Sequence, residues 1–151
     1  LDKVAPVKIV ANSTEVEDAS EFALEKHLED FLVKNWKQTD LGKKYDIYEE
    51  DGDLVGQQYN TDTGPIDILA ISKNKKTILV IELKKGRTSD VVIGQVQRYM
   101  GYVKEELLEQ GQEVRGLIIG LSADTRLRRA LSVCTNIDFY RDQIDFKLIK
   151  D

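Results

Sequence analysis

The chain has 151 residues, of which 41% are hydrophobic and 32% charged, a composition typical of one globular domain and not of a disordered segment. Its formal net charge of −5 argues against strong non-specific binding to nucleic acid, and a single His and a single Cys exclude a His/Cys zinc site in a monomer. No apolar run approaches the ~20 residues of a membrane span and no signal peptide is visible, so we expect a cytoplasmic protein.

Residues 1–17 are predicted to form an N-terminal edge strand or a linker, because they contain the apolar, β-branched piece Val7 to Val10. The domain proper is placed at residues 18–151. The chain begins with Leu1 and not with Met, which leaves open that it is a fragment with a missing N-terminal domain. A homodimer is left open as well.

The clearest predicted helix covers residues 18–36, where Asp18 and Glu21 resemble a capping box. Its buried face is predicted from the helical spacing of Leu24, Leu28, Phe31, Leu32 and Trp36. Glu25 projects onto that face, near its edge, and a carboxylate there needs a partner or a metal. The alternatives are an ion pair with a buried Lys or Arg, or a side chain that reaches the surface. Glu29 is expected further round the helix and more exposed, and His27 is expected to be solvated.

After this helix we expect a helix stop at Gly42 and then a series of antiparallel strands. Residues 45–49 and 55–59 read as two strands joined by a turn at 50–53. A second hairpin follows, with strands Ile66 to Ser72 and Thr77 to Leu83. Its turn covers Lys73 to Lys76, where Asn74 favours a left-handed conformation.

The C-terminal half alternates helices and strands. A helix is predicted from Ser89 or Asp90 to about Gln110, and its buried stripe comprises Ile93, Val96, Met100, Val103 and Leu107. Residues 114–121 form a strongly apolar strand, expected to be central and parallel to a neighbour. A helix at 123–133 and edge strands at 137–140 and 144–149 complete the chain, with Cys134 expected in the helix as a buried, reduced thiol. This order predicts an α/β sandwich of three layers with a central mixed β-sheet.

Three charged residues lie in unusual places in the second hairpin. Asp67 is inside an apolar run, and Glu82 and Lys84 follow Ile78 to Ile81. Because strand side chains alternate, Glu82 and Lys84 point the same way, and the hairpin brings Asp67 beside Glu82. Two carboxylates suit Mg²⁺, which polarises a phosphate and activates water, whereas a solvated strand end is the plain alternative.

These residues resemble the PD-(D/E)xK nuclease superfamily, and most of all the C-terminal catalytic domain of NucS-type endonucleases and their RecB-like relatives. The resemblance rests on Gly64-Pro65-Ile66-Asp67, on Val80-Ile81-Glu82-Leu83-Lys84-Lys85-Gly86, and on Gly94-Gln95 with Tyr99. It runs from about Glu21 to about Phe139. One departure is that Ile66 separates Pro65 from Asp67; this first motif is loosely kept across the superfamily.

The resemblance implies a restriction-endonuclease-like fold with Asp67 and Glu82 as metal ligands and Lys84 as the catalytic lysine. Leu83 is assigned to the same metal site, and Gln95 and Tyr99 match a Gln-x-x-x-Tyr motif, although a plain helix surface with a half-buried Tyr is the alternative. Glu25 is proposed as a third metal ligand, since the same alignment places a helix Glu there. The expected DNA contacts are Lys85, Arg87, Arg126 and Arg129, against the alternative of ordinary solvated surface.

The implied function is a Mg²⁺- or Mn²⁺-dependent DNA endonuclease that hydrolyses phosphodiester bonds in structured or damaged DNA, in repair or defence. The alternatives are a non-cleaving nucleic-acid-binding or interaction module on the same fold, and a structural domain whose acids are surface charge. A non-cleaving module would have lost its active site, and the presence of all three residues Asp67, Glu82 and Lys84 argues against that loss.

Overall fold

A mixed β-sheet of six strands forms the centre of the computed structural model, which describes residues 25–141 together with residues 148, 150 and 151. Helix α1 covers the described residues 25–34. The elements that follow are a 3-10 turn Trp36–Gln38, α2 Asp40–Lys44, β1 Tyr45–Ile47, β2 Glu49–Glu50, β3 Asp53–Leu54, β4 Gln57–Thr61, β5 Gly64–Ser72, β6 Thr77–Thr88, α3 Val91–Glu106, β7 Glu113–Ala123, α4 Thr125–Ser132 and β8 Ile137–Arg141.

The strand order across the sheet is β1-β5-β6-β7-β8, and β4 pairs with the first half of β5. Strands β5 and β6 form the expected antiparallel hairpin, while β7 is parallel to both β6 and β8. The predictions of a central parallel strand and of an edge strand at 137–140 are therefore confirmed. The two parallel ladders place the carboxyl ends of β6, β7 and β8 at one edge of the sheet.

Helices cover both faces of this sheet because its apolar side chains alternate between two buried clusters. Val80 and Ile118 pack with Val96 of α3, whereas the adjacent Ile81 packs in a cluster that includes Leu28 of α1. The predicted α/β architecture with a central mixed sheet between helices is thus confirmed. Among the described helices, none is long and apolar enough to cross a membrane.

Three details of the first helical region differ from the prediction. Phe31, predicted to be buried, is 63% exposed, because the helix packs through Leu28 and the adjoining Trp36 instead. Gly42 does not stop a helix but lies inside α2, whose N-cap is Thr39. A Cβ at Gly42 would lie 1.8 Å from the carbonyl oxygen of Trp36. The backbone of Trp36 therefore leaves no room for a side chain at position 42, which explains why the residue is glycine.

The strands at 45–59 are divided more finely than predicted. The turn at 50–53 exists, with Asp51 and Gly52 both at positive φ, but it joins only the short strands β2 and β3. Strands β1 and β4 pair with β5 instead of with each other. The reason is that β5 is long and apolar enough to accept both partners along one edge.

Smaller corrections concern turns and ends. In the β5–β6 turn Lys75 has the positive φ, not Asn74, whose side-chain oxygen accepts instead from the Lys76 amide at 3.0 Å. Helix α3 ends at Glu106, before the predicted end. Cys134 follows α4 and is half-buried, so the prediction of a buried helical thiol is wrong.

Several predictions fall on residues outside the described ranges. They are the strand at Val7 to Val10, the capping box of Asp18 and Glu21, the packing of Leu24, and the last strand at 144–149.

Candidate active site

Asp67 and Glu82 meet where β5 and β6 begin to separate. The paired register of the two strands ends at Ile68 opposite Ile81, one position before the acids. The backbone amide of Asp67 donates to Oε1 of Glu82 at 3.3 Å, and the amide of Leu83 donates to Oδ2 of Asp67 at 2.8 Å. The two carboxyl groups are therefore tied to each other's strands, as the hairpin argument predicted.

Burial makes this acid pair electrostatically unusual. Glu82 is 1% exposed, and its burial together with the charge of Asp67 raises the pKa of its carboxyl to about 9. Burial also raises the pKa of Asp67, although the hydrogen bond from Leu83 opposes the rise, and the charge of Glu29 adds to it. Lys84 acts in the opposite direction on both carboxyl groups. A bound cation would relieve this cost.

Glu29 of α1 is 3% exposed, so the prediction that it is the more exposed acid of the helix is wrong. It lies among donors from β4 and α1. The side-chain amides of Gln57 and Gln58 both donate to it, as does Lys26 Nζ at 3.1 Å. Gln58 also donates to Oδ1 of Asp67 at 3.3 Å, which connects Glu29 to the acid pair.

Glu25, one turn earlier on α1, is half-buried, and its Oε2 accepts from the backbone amide of Lys85 at 2.9 Å. The side chain is thus directed at β6, at the residue after Lys84. This places Glu25 beside the part of β6 that carries the motif, while its role as a metal ligand stays a prediction.

The two motif residues on α3 have different surroundings. Tyr99 is 3% exposed within the cluster that includes Ile66, and a Cβ on Gly64 would lie 3.0 Å from its hydroxyl oxygen. Gln95 is half-buried. No hydrogen bond joins either side chain to Asp67 or Glu82 in the part of the chain that the structure describes, so their roles stay predictions.

The basic residues predicted to contact DNA lie on β6 and α4. Lys85 is half-buried, and Arg87 is opposite Ser122 in the β6–β7 ladder. Arg126 and Arg129 are exposed on α4. The carboxyl ends of β6 and β7 lie side by side, and α4 follows β7 directly. This helix therefore begins on the side of the sheet toward which β6 runs after Lys84.

The donor set fits a hard divalent cation held by few protein ligands. No three His, Cys, Asp or Glu side chains of the described residues form a ready metal-binding group. Mg²⁺ typically takes one or two carboxylates and completes its shell with water and substrate, and Leu83 adds a backbone carbonyl between Glu82 and Lys84. Burial raises the pKa of both carboxyl groups, and such a cation would stabilise their ionised form.

The contribution of β4 was missed by the sequence analysis. Gln57 and Gln58 carry no motif and no charge, and their contacts to Glu29 span 28 and 29 residues of chain. The one signal available was Glu29 itself, on the helix whose face was predicted to be buried.

A groove of about 770 Å³ lies elsewhere, at the edge of the sheet where β6 begins. Trp36, Asp46 and Ile78 are among its lining residues, and the acid pair is not. We therefore assign the chemistry to the acids and not to this groove.

The family model of the endonuclease NucS C-terminal domain matches residues 24–143 of the chain. Among curated proteins, the chain is similar to the endonuclease NucS of Methanocaldococcus jannaschii, with 31% identity over 64% of this chain and 35% of that protein. It is also 31% identical to the endonuclease NucS of Methanopyrus kandleri, over 51% of this chain and 28% of that protein. The chain thus spans about a third of the length of these relatives.

Two solved structures share the fold. One is a repair endonuclease from Pyrococcus abyssi, with a TM-score of 0.57, 18% identity, and coverage of 89% of this chain and 49% of that one. The other is EndoMS in a complex with double-stranded DNA, with a TM-score of 0.58, 18% identity, and coverage of 91% and 48%. The chain corresponds to about half of each.

Proposed function

Because the chain belongs to the endonuclease NucS C-terminal domain family, we propose that it is the catalytic domain of a metal-dependent DNA endonuclease. The observation that carries the proposal is the pairing of the half-buried Asp67 with the fully buried Glu82, with Lys84 on the same strand. A structural domain would not gain stability from two adjoining acids whose pKa values are both raised by burial.

Asp67, Glu82 and the backbone carbonyl of Leu83 would hold Mg²⁺ or Mn²⁺, and Glu25 of α1 would contact the cation through a bridging water molecule. When bound, the cation polarises the scissile phosphate and lowers the pKa of a water molecule. The low number of protein ligands would leave room for phosphate and water. Glu82 would lose its proton when the cation binds, because its pKa of about 9 keeps it protonated at neutral pH in the metal-free protein.

The remaining motif residues would act on the substrate. Lys84, next to both acids, orients the attacking water and balances the negative charge that develops on the phosphate. The water oxygen forms the new bond to phosphorus and releases a proton to solvent, the bond to the leaving deoxyribose oxygen breaks, and that oxygen takes up a proton. Gln95 and Tyr99 of α3 position the phosphate through hydrogen bonds.

The proposed substrate is duplex DNA, in keeping with the similarity to EndoMS, whose structure is a complex with double-stranded DNA, and structured or damaged sites are favoured over a fixed sequence. Lys85 and Arg87 follow Lys84 on β6, and α4, which carries Arg126 and Arg129, begins directly after β7, the parallel neighbour of β6. Such a local basic edge can bind phosphates although the net charge is −5.

Cleavage of a panel of mismatched, flap, single-stranded and blunt DNA with Mg²⁺ or Mn²⁺ tests the proposal. We expect cleavage by the wild type, none by Glu82→Ala or Asp67→Ala, and wild-type cleavage by Glu105→Ala, which changes an exposed acid of α3. Binding of DNA without cleavage under all these conditions would favour the alternative, a non-cleaving nucleic-acid-binding module on the same fold.

A further inference from the structure

Gln58 is held in an unfavourable backbone conformation, with a φ of 52°. A left-handed φ is uncommon outside glycine, and Gln gains none of the local hydrogen bonds that let Asn and Asp adopt it. Such conformations persist where the surrounding structure over-determines them, frequently at functional sites. The position of the side chain of Gln58 is therefore informative.

The conformation changes the direction of that side chain. Neighbouring residues of a regular strand point to opposite faces, yet Gln57 and Gln58 both donate to the carboxylate of Glu29. The opposite strand is irregular at the same place, since Ile66 and Ile68 belong to different buried clusters. In the β4–β5 ladder Gln57 is paired with Ile68, and Tyr59 is paired with Ile66. Gln58 and Asp67, which lie between these two pairs, are not paired with each other.

The carboxamide of Gln58 consequently donates hydrogen bonds to two acidic side chains. Its Nε2 donates to Oε1 of Glu29 and, at 3.3 Å, to Oδ1 of Asp67. The other oxygen of Asp67, Oδ2, accepts from the amide of Leu83 at 2.8 Å. Each oxygen of the Asp67 carboxylate therefore has its own fixed donor, one from β6 and one from β4.

We propose that Gln58 is a positioning residue that fixes the Asp67 carboxylate for the divalent cation by bridging it to the buried Glu29. The inference rests on the proposed function, in which Asp67 is a metal ligand. Groups that orient metal ligands in this way change metal affinity or activity by about 10- to 100-fold when they are removed.

The test compares Gln58→Gly with Gln57→Ala. Glycine accepts the positive φ, so the first variant removes the carboxamide while relieving the backbone. Gln57 contacts Glu29 and Asp30 and makes no described hydrogen bond to Asp67, which makes it the matched control. Gln58→Asn is a second variant, since Asn tolerates this φ but is one methylene too short for the bridge.

The readout is the dissociation constant for Mn²⁺ by calorimetry, with thermal unfolding to establish that each variant is folded. We expect affinity to fall about 10- to 100-fold in Gln58→Gly and Gln58→Asn, with the midpoint of unfolding of Gln58→Gly unchanged or raised. Gln57→Ala should bind Mn²⁺ within about threefold of the wild type, a difference of about 0.65 kcal/mol at RT ≈ 0.59 kcal/mol.

Equal affinity in the wild type and in folded Gln58→Gly would overturn the proposal, as would an equal loss in Gln57→Ala. Wild-type protein that binds Mn²⁺ but leaves every DNA substrate intact would count against the nuclease function only, and the affinities would still decide the role of Gln58. A wild type without affinity for Mn²⁺ would overturn both.

Discussion

At the scale of single residues, the acid pair has a cost in the metal-free protein. Glu82 lies between Ile81 and Leu83, both fully buried, where a strand would otherwise carry another apolar side chain. Its carboxyl is kept protonated at neutral pH by burial and by Asp67. We interpret the pair as stability given up for binding a cation, which is common at functional sites.

The metal-free domain should lose stability as pH rises. The pKa of Glu82 is raised from 4.5 to about 9, so its stabilising contribution is complete below pH 4.5 and is lost as pH rises through about 9. The raised pKa of Asp67 acts in the same direction. The midpoint temperature of thermal unfolding in EDTA should therefore decrease as pH rises from 4.5 to about 9, and Glu82→Gln should weaken this dependence on pH. A wild-type midpoint that rises over this range would contradict the assignment.

Lys84 should matter for rate and little for cation binding. If the lysine acts on the charge that develops in the transition state, Lys84→Ala should lower kcat by about 100-fold or more while the Mn²⁺ dissociation constant stays near the wild-type value. Single-turnover cleavage with saturating DNA measures the first quantity and calorimetry the second. Lys76→Ala, in the exposed β5–β6 turn, is the control. A change confined to KM would assign Lys84 to DNA binding.

At the scale of elements, helix α3 packs closely against the sheet at a glycine of β7. A Cβ at Gly116 would lie 2.6 Å from Val96 and 2.9 Å from the sulfur of Met100, both on α3. The helix and strand therefore approach closely because this position has no side chain.

Replacement of Gly116 should accordingly destabilise the domain. We expect Gly116→Ala to lower the free energy of unfolding by roughly 1–3 kcal/mol through overpacking against α3. Gly94 is the matched control, because no atom lies within 4 Å of its would-be Cβ and Ala is the better helix former. Gly94→Ala should raise stability by about 0.5–1 kcal/mol. Urea unfolding of both variants measures the difference, and equal effects would contradict the packing argument.

At the scale of the whole molecule, the proposed cation binding would be linked to folding. A ligand that binds only the folded state raises the stability of that state by mass action. A cation that displaces the proton of Glu82 binds more tightly at higher pH, where the proton is removed more easily. The same linkage predicts that the stabilising effect of Mn²⁺ grows with pH.

The midpoint of thermal unfolding should rise with added Mn²⁺, and by more at higher pH up to about 9, where Glu82 titrates. Asp67→Ala should remove most of this rise, because it deletes one of the two carboxylates. Asp62→Ala changes an exposed acid near the start of β5 and should keep it. Scanning calorimetry over a series of Mn²⁺ concentrations measures the shift. A rise of equal size in Asp67→Ala would place the cation elsewhere.

Local sequence patterns determined the central sheet and the catalytic hairpin. Alternation with period two along β5 and β6 was enough to bring Asp67 and Glu82 together, and the apolar run of β7 was enough to predict a central parallel strand. The helical period gave the buried stripe of α3. These features depend on neighbours within one or two elements, so their physical cause is visible in a short stretch of chain.

Only the tertiary structure decided which acid of α1 is buried and what holds it. The exposure of Phe31, the burial of Glu29 and the strained φ of Gln58 all follow from the way α1 packs against β4, which is 28 or 29 residues away in sequence. Helical spacing fixes the angles between side chains, but it does not fix which face meets the sheet. A left-handed Gln has no sequence signature, because the contacts that compensate its strain come from other elements.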